Sequence, residues 1–438
     1  MNHTADRTPM TTASVRLDGI PCGRLSADAS GALEFSYDAD WRARDLAYPV
    51  SPVMPMRDAP YGHLETSAFF ANLLPDSSWT QGALATRLGT RRHTLDLLSA
   101  LGADCAGAVT VVPEDTPVVA DADRGPSYET LTARELAERI AALPAAPLFA
   151  STPDEARATL AGTRPKAAVV ATGGQVAIAA RGTPSTHILK AEVGELPGLV
   201  QVEHFCLRLA AALGMDAATS SVGMAEDLPY LLVGRFDRGV MDAGGRHHLG
   251  RRHQFDFCQA FGFLPAGKFE KDGGPGWRHC FSLVGLATDP ARDRAELLSR
   301  AVFHFLSGNP DAHAKNHAMV MGPDGIALSR LYDVNNAGAF AARFKSRRER
   351  VAMAIGGEHD PGAVTEAHWT AFAAETGQEA EAVLSRLRWM AAAMPDEAST
   401  VRDSLRGTVA DSDMLDTALD DIAARCARFA GPGPGAAP

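Results

Sequence analysis

The sequence predicts an α+β fold in which a small N-terminal α+β domain and a β-rich lobe precede an all-helical C-terminal lobe. Strand-like segments bounded by turn residues lie almost entirely before about residue 254. Helical patterns then dominate from Phe255 to Phe429, except over residues 318–333. With 438 residues the chain is long enough for two or three domains.

Residues 13–113 are expected to form the N-terminal α+β domain. Strands are predicted at residues 13–17 and 33–37, and Asp18-Gly19 supplies the turn after the first of them. Helices are predicted near residues 81–88 and 94–101, and a further strand leads through Val112. Residues 1 to about 12 are polar and are expected to be disordered.

A linker is predicted over residues 114–130, which are rich in Pro, Asp and Gly. The β-rich lobe is predicted at residues 131–253. Thr132 followed by Glu135 indicates a capped helix over 133–143. Strands are expected at 167–171, 175–180, 187–190 and 230–233, with a helix at 202–213 that closes at Gly214. Residues 254–430 form the predicted helical lobe, and the Gly/Pro-rich residues 431–438 a loose tail.

Charge and cysteine usage narrow the class of protein. A net charge of −11 argues against a dominant nucleic-acid surface, and the basic clusters Arg91-Arg92, Arg251-Arg252 and 345–350 are expected to be solvated faces. The six cysteines include no Cys-x-x-Cys pair, so neither a zinc site nor a redox dithiol is indicated, and several are expected to be small core residues. No apolar run reaches membrane-span length and no signal-peptide pattern is present, which favours the cytoplasm.

The stretch Gly308 to Asn316 is the strongest candidate for chemistry. It contains Asp311 and Asn316 at the Asp-x4-Asn spacing of protein-kinase catalytic loops, with His313 and Lys315 between them. A carboxylate can accept the proton of an attacking hydroxyl, an amide oxygen can hold a metal ion, and a lysine can neutralise charge on a moving phosphoryl group. Asp333 follows at an offset that suits a second metal ligand. The alternative is an ordinary polar loop, because this spacing also occurs by chance.

A kinase also needs a lysine on a strand of the first lobe. Lys190 ends a predicted strand and precedes a helix in which Glu203 is a candidate partner, although Glu192 and Glu195 compete for that role. Neither Gly-x-Gly-x-x-Gly nor a Walker A motif is present. Residues 159–166, which contain Gly162 and Lys166, stand where a phosphate-binding loop is expected.

Together these segments resemble those of the HipA-type serine/threonine kinases, the toxins of bacterial toxin–antitoxin pairs. The resemblance covers nearly the whole chain and implies a two-lobed protein-kinase-like fold with an added N-terminal domain. The matching stretches are Phe70 to Asp76, Gly102 to Val109, Ala161 to Lys166, Pro184 to Lys190, Arg235 to Arg238, Asp256 to Ala260, Gly308 to Asn316, Tyr332 to Val334 and Ala352 to Gly357.

The resemblance implies a role for each matched position. Asp311 corresponds to the catalytic base, and Asn316 and Asp333 to Mg²⁺ ligands. The positions that would bind ATP are Lys190 at the phosphates, Gly162 and Lys166 in the phosphate-proximal loop, Arg235 and Phe236 at the adenine hinge, and Asp237 and His313 near the ribose. Lys315 is also expected to bind the nucleotide, because a lysine in this loop can neutralise charge on the moving phosphoryl group. Thr159 matches a serine that relatives autophosphorylate. Gly234 and Arg164 depart from the usual acidic residue and Gln of the family, which leaves their effect on nucleotide binding open.

The function that the resemblance implies is an ATP- and Mg²⁺-dependent protein serine/threonine kinase that inhibits growth. Its expected target is a translation component such as an aminoacyl-tRNA synthetase. Its expected partner is a HipB-type helix-turn-helix antitoxin, which would supply most of the contact with operator DNA. Two alternatives are a small-molecule kinase and a weakly catalytic corepressor module, and the intact set of predicted site residues argues against the second.

Overall fold

The computed structural model describes residues 12–119, 123, 125, 127–150, 158–192, 194, 196–243, 246–343 and 350–430. The predicted disorder of the first eleven residues, the predicted tail and most of the basic cluster 345–350 lie outside the described residues. Thr12, the last residue of the polar N-terminal stretch, belongs to the first strand.

An antiparallel sheet with the strand order β3-β2-β1-β4 organises the N-terminal domain. Its strands are β1 (Thr12–Leu17), β2 (Ile20–Ala27), β3 (Leu33–Tyr37) and β4 (Val109–Val112). The β1–β2 hairpin turns at Asp18 and Gly19, whose φ angles of 55° and 78° suit a two-residue hairpin turn. The helices are α1 (Ala39–Arg42), α2 (His63–Phe70), α3 (Ser78–Leu88) and α4 (Thr94–Leu101).

The β-rich lobe contains an antiparallel sheet with the order β5-β7-β6-β8-β10-β9. Its strands are β5 (Tyr128–Thr130), β6 (Lys166–Thr172), β7 (Gln175–Ala179), β8 (His187–Ala191), β9 (Ser220–Ala225) and β10 (Leu228–Gly234). Helices α5 (Ala133–Ala142) and α6 (Leu199–Ala212) accompany it, and α5 carries the predicted capping box of Thr132 and Glu135. Strand β5 pairs with β7, so the sheet begins inside the segment expected to be a linker.

A two-stranded hairpin of β11 (Arg238–Ala243) and β12 (Arg246–Arg251) follows the sheet and was not predicted. Its strands contain few apolar residues and lack the alternation of apolar and polar residues that predicts a half-buried strand. Backbone pairing between the two strands therefore left no signal in the sequence. Arg251 was expected on a solvated face and is only 5% exposed. Its guanidinium donates to the carbonyl of Gly182 and lies near Asp104.

The helical lobe also contains a small sheet of β13 (His253–Asp256), β14 (Ala318–Gly322) and β15 (Gly325–Leu328). Its helices are α7 (Phe257–Phe261), α8 (Trp277–Val284), α9 (Pro290–Leu306), α10 (Glu366–Thr376), α11 (Ala380–Leu405) and α12 (Met414–Cys426). All six cysteines are buried and free, as expected for small core residues. None of the described helices is long and apolar enough to cross a membrane.

One hydrophobic core runs through the N-terminal domain and the helical lobe. It includes Phe35 and Phe70 from the former and Trp369 from the latter. Polar contacts follow the same interface, since Ser51 donates to the carbonyl of Gln259 over 3.1 Å. The N-terminal domain is therefore packed against the kinase-like part as a fixed element and reaches its central cleft.

Candidate active site

A cleft of about 330 Å³ lies between the β-rich lobe and the helical lobe. The segments that line it are the Gly162 loop, strand β8, the residues after β10, the loop after α9 and the residues after β15. The N-terminal domain adds Asn72 and Asp76 to this wall. Most site residues that the sequence predicted thus line one cavity, although Thr159 is absent from its wall.

The loop after α9 is fixed by its own hydrogen bonds. Gly308 has a φ of 68°, and a Cβ there would lie 2.5 Å from an Asp421 carboxylate oxygen, so only glycine fits. The Asn309 side chain accepts from the backbone N–H of Asp311 over 3.2 Å. Asn316 Nδ2 donates to the carbonyl of Asp311 over 2.7 Å. The two residues of the Asp-x4-Asn motif are therefore held side by side.

Asp311 carries an elevated pKa. Partial desolvation by the cleft walls raises the pKa of its carboxyl to about 6, with a further contribution from Asp333 and opposing ones from Lys268 and Arg164. Its side chain keeps 62% of its surface open to the cleft, so whatever fills the cleft will change this pKa. A carboxylate poised near neutral pH suits the general base of a hydroxyl attack.

Lys190 stands at the centre of an ion network that joins the two lobes. Its Nζ lies 2.5 Å from Glu203 Oε1 on α6 and 2.7 Å from Asp333 Oδ1 beyond β15. Arg164 pairs with the other oxygen of Glu203 at 3.2 Å. Glu203 is thus placed against Lys190, whereas Glu192 accepts from the backbone N–H of Gly198. Glu195, the third glutamate considered from sequence, lies outside the described residues.

Asp333 is held as an anion in a strained backbone position. Burial alone would raise its pKa, but Lys190, Lys166 and Arg164 outweigh that effect and hold the pKa well below its usual range. Its φ of 57° is unusual for a residue other than glycine. Strained residues that their surroundings hold in place cluster at functional sites.

The Gly162 loop, which the sequence predicted to bind phosphate, forms part of the cleft wall. Gly162 has a φ of 103°, and a Cβ there would lie 2.5 Å from Lys166 Nζ. That ammonium donates to the carbonyl of Ala161 over 2.9 Å. Burial and the positive charge of the neighbouring Lys190 lower the pKa of Lys166 to about 8. An anion bound between the two ammonium groups would offset their mutual repulsion.

Thr159 departs from its predicted position. It is fully buried, and its hydroxyl donates to the carbonyl of Leu73 in the N-terminal domain over 2.8 Å. Its backbone N–H donates to the carbonyl of Asp104. The hydroxyl thus faces the N-terminal domain rather than the cleft, whose wall begins at the next residue, Leu160.

The hinge residues form a different arrangement from the expected one. The Arg235 guanidinium donates to both carboxylate oxygens of Asp237 and to the carbonyl of Cys105. Asp237 also accepts from the backbone N–H of Gly107 over 2.7 Å. Both side chains therefore anchor the N-terminal domain to the hinge, and the Asp237 carboxylate is already engaged rather than open to a ribose.

Phe236 and Gly234 lie on the hinge side of the cleft. Phe236 lines the cleft and packs against the Tyr332 ring at 5.5 Å between centroids. A Cβ on Gly234 would collide with Thr219 Oγ1. The acidic side chain that relatives often carry there would need Thr219 to move, so glycine matches the local packing of this chain.

Several residues of the cleft wall were not predicted as site residues, among them Asp76, Asn72 and Lys268. Asp76 accepts from Lys315 over 2.7 Å and from Lys268 over 2.9 Å, and Asn72 Oδ1 accepts from Lys315 over 2.8 Å. Asn72 and Asp76 lie in a stretch that carried the family resemblance, but no local signal ties them to a loop more than two hundred residues away. Lys268 had no signal of its own.

His313 lies beside the catalytic candidate. Its Nε2 is 3.8 Å from Asp311 Oδ1, and its ring meets Phe269 edge-on at 5.2 Å between centroids. Burial lowers its pKa to about 4, helped by Lys268, so the ring is neutral at physiological pH. A neutral ring can donate a hydrogen bond to a bound sugar hydroxyl or to Asp311.

The predicted metal ligands fit a small divalent cation. Asn316 donates with its Nδ2, which leaves its amide oxygen directed elsewhere, and Asp333 is held ionised. Mg²⁺ prefers one or two carboxylates together with substrate phosphates. In the part of the chain that the structure describes, no cluster of three or more His, Cys, Asp or Glu side chains offers a closed metal site.

Comparisons with known proteins agree with this geometry. Residues 13–112 match the HipA N-terminal domain model, and residues 158–398 match the HipA-like C-terminal domain model. The chain belongs to the HipA family. Two family models therefore cover the N-terminal domain and most of the kinase-like part.

Individual relatives span almost the full chain. Protein Y4mE of Sinorhizobium fredii is 32% identical over 411 residues, which cover 93% of this chain and 96% of the relative. The serine/threonine-protein kinase toxin HipA of Shewanella oneidensis is 29% identical and covers 89% of each chain. A solved complex of Shewanella oneidensis HipA, HipB and operator DNA contains a chain that matches with a TM-score of 0.80 at 28% identity, covering 95% of this chain and 97% of that one. The predicted HipA-type, kinase-like α+β fold is thereby confirmed.

Proposed function

We propose that this HipA-family chain is an ATP- and Mg²⁺-dependent protein serine/threonine kinase that acts as the toxin of a toxin–antitoxin pair. The observation that carries the proposal is the convergence of Asp311, Asn316 and Asp333 with the Lys190–Glu203 pair in one interlobe cleft. These are the groups that kinases use for phosphoryl transfer.

In this proposal Asp311 accepts the proton of a substrate hydroxyl as the hydroxyl oxygen attacks the γ-phosphorus of ATP. The bond between the γ-phosphorus and the β–γ bridging oxygen breaks, and ADP is the leaving group. Lys190 and Lys166 face the phosphates and Lys315 lies in the catalytic loop, so the three can offset the charge that spreads over the transferred group. Asn316 and Asp333 would hold Mg²⁺, which when bound neutralises phosphate charge. The backbone near Phe236 would border the adenine.

The proposed partners follow from the chain's relatives and its charge. A similar chain is known in complex with HipB and operator DNA. A net charge of −11 gives this chain little DNA affinity of its own. We propose that a HipB-type helix-turn-helix antitoxin binds it and supplies the basic DNA surface, and that a translation component is its protein target.

Phosphoproteomics after brief expression of the wild type beside Asp311→Asn tests this function. We expect new phosphoserine or phosphothreonine in a translation protein in the wild type alone, together with growth arrest. Equal phosphoproteomes would contradict the proposal. Transfer to a metabolite rather than to protein would assign the cleft to a small-molecule kinase.

A further inference from the structure

Asp76 connects three segments that meet at the cleft. It belongs to the N-terminal domain, in the loop before α3, and its side chain is 8% exposed. One carboxylate oxygen accepts from Lys315 of the catalytic loop over 2.7 Å, and the other from Lys268 over 2.9 Å. Its backbone N–H donates to the carbonyl of Gly162 over 3.1 Å.

Asn72 makes this arrangement rigid. Its Nδ2 donates to the carbonyls of Ala68 and Phe263 over 2.7 and 2.8 Å, so its orientation is set by both domains. Its Oδ1 is then fixed as the second acceptor for Lys315. Lys315 is only 6% exposed. Its ammonium group is thereby held between two side-chain oxygens of the N-terminal domain.

We propose that Asp76 is a positioning residue of the phosphoryl-transfer site, which holds the Lys315 ammonium in place and ties the Gly162 loop to the catalytic loop. The inference rests on the proposed function, because Lys315 and the Gly162 loop matter only if the cleft transfers phosphate. With this role for Asp76, the N-terminal domain contributes directly to the geometry of the active site.

The charge pattern supports this role over a purely structural one. A single carboxylate faces two ammonium groups in the cleft wall. Burial would raise its pKa, but Lys315 and Lys268 lower it to about 2, so it stays ionised at working pH. Apolar packing already joins the N-terminal domain to the helical lobe. Docking of the domain therefore does not require a carboxylate that contacts a lysine of the catalytic loop.

A double-mutant cycle on the full chain separates the two roles. Transfer of labelled phosphate from ATP to myelin basic protein, an artificial acceptor, is measured for the wild type, Asp76→Asn, Lys315→Met and the double variant. If Asp76 acts through Lys315, each single change lowers kcat about tenfold or more, and the double variant is no slower than the slower single one. The KM for ATP is expected to change by less than about threefold, because the lost interaction belongs to the transition state.

The control is Asp96→Asn, which removes another buried carboxylate of the same domain, paired with Arg91 at 2.7 Å and outside the cleft wall. It should keep kcat within about twofold. If Asp76→Asn does not fold, Asp76→Glu with and without Lys315→Met supplies the same cycle while keeping the charge.

Multiplicative losses in the double variant, or a kcat for Asp76→Asn within twofold of the wild type, would overturn the positioning role and leave the proposed function standing. A wild-type chain that transfers no phosphate would overturn both, so the two failures are distinguishable.

Discussion

Lys190 Nζ lies 2.7 Å from Asp333 Oδ1, and this ion pair joins strand β8 of the first lobe to the segment after β15 of the second. The residue proposed to contact the ATP phosphates and a residue proposed to hold Mg²⁺ thus neutralise each other. Bound Mg²⁺ and phosphates would offer each of them a new partner of opposite charge.

Asp333→Ala is expected to weaken the Mg²⁺-dependent part of ATP binding by about tenfold or more, because Mg²⁺ prefers anionic oxygen ligands. The measurement is ATP affinity with and without Mg²⁺. Asp416→Ala, which alters a partly exposed ion pair with Arg402, is the control. Unchanged Mg²⁺ dependence would remove Asp333 from the metal site.

The activity of the free enzyme should fall at acid pH. The pKa of Asp311 is raised to about 6, and a general base works only when ionised, so kcat/KM is expected to decline as the pH falls through that value. A profile of kcat/KM between pH 5 and pH 8 checks this, with thermal unfolding at each pH to confirm that the chain stays folded. A flat profile over a folded chain would contradict the assignment.

Asp104→Asn is expected to lower the free energy of unfolding by about 3–5 kcal/mol, because it removes one of the two buried carboxylates that offset the charges of Arg235 and Arg238. Asp104 is 3% exposed and pairs with Arg238 at 2.7 Å and Arg235 at 3.4 Å. Chemical denaturation measures the change. The control Asp403→Asn alters an exposed pair with Arg406 and should change stability by about 1 kcal/mol or less.

Asp104 also contributes to the pH dependence of the free energy of unfolding at acid pH. Burial would raise the pKa of Asp104, but Arg238, Arg235 and Arg251 lower it to about 2. Because the folded-state pKa lies below the unfolded one of about 3.9, its contribution is present above that value and is lost as the pH falls towards 2. Asp104→Asn should therefore unfold with a weaker pH dependence in this window, and an unaltered dependence would exclude Asp104 as a contributor.

Thr159 remains a proposed site of autophosphorylation, although its hydroxyl does not face the cleft. Because its hydroxyl is buried against Leu73, we expect slow labelling that requires the segment to leave this contact. A phosphate adds a charge of about −1.5 to −2 and cannot return to a buried position, so the labelled chain should lose ATP affinity. Intact-mass spectrometry with peptide mapping is the test, and Thr159→Val is the control. No phosphate on Thr159, or full labelling with unchanged ATP affinity, would refute it.

Local chemistry explains what the sequence predicted well. The capping box at Thr132 and the hairpin turn at Asp18-Gly19 depend on neighbours a few residues apart, and both formed as expected. The Asp-x4-Asn spacing likewise placed Asp311 and Asn316 together, because their contact is made within one short loop.

Contacts between distant segments explain what the sequence did not show. The Lys315–Asp76 contact joins residues 239 positions apart, and the Arg235 contact with Cys105 joins residues 130 positions apart. The resemblance placed Arg235 and Asp237 at the nucleotide, whereas only the packing of the N-terminal domain shows that their charged groups are engaged with it. The β11–β12 hairpin was not predicted because its strands lack the alternation of apolar and polar residues.

The most direct test is transfer of the γ-phosphate from labelled ATP by the purified full chain with Mg²⁺, compared with Asp311→Asn. The account predicts label on serine or threonine with the wild type, and a loss of about a hundredfold or more in the folded variant, because a positioned proton acceptor is removed. Label transferred by Asp311→Asn at the wild-type rate would contradict it.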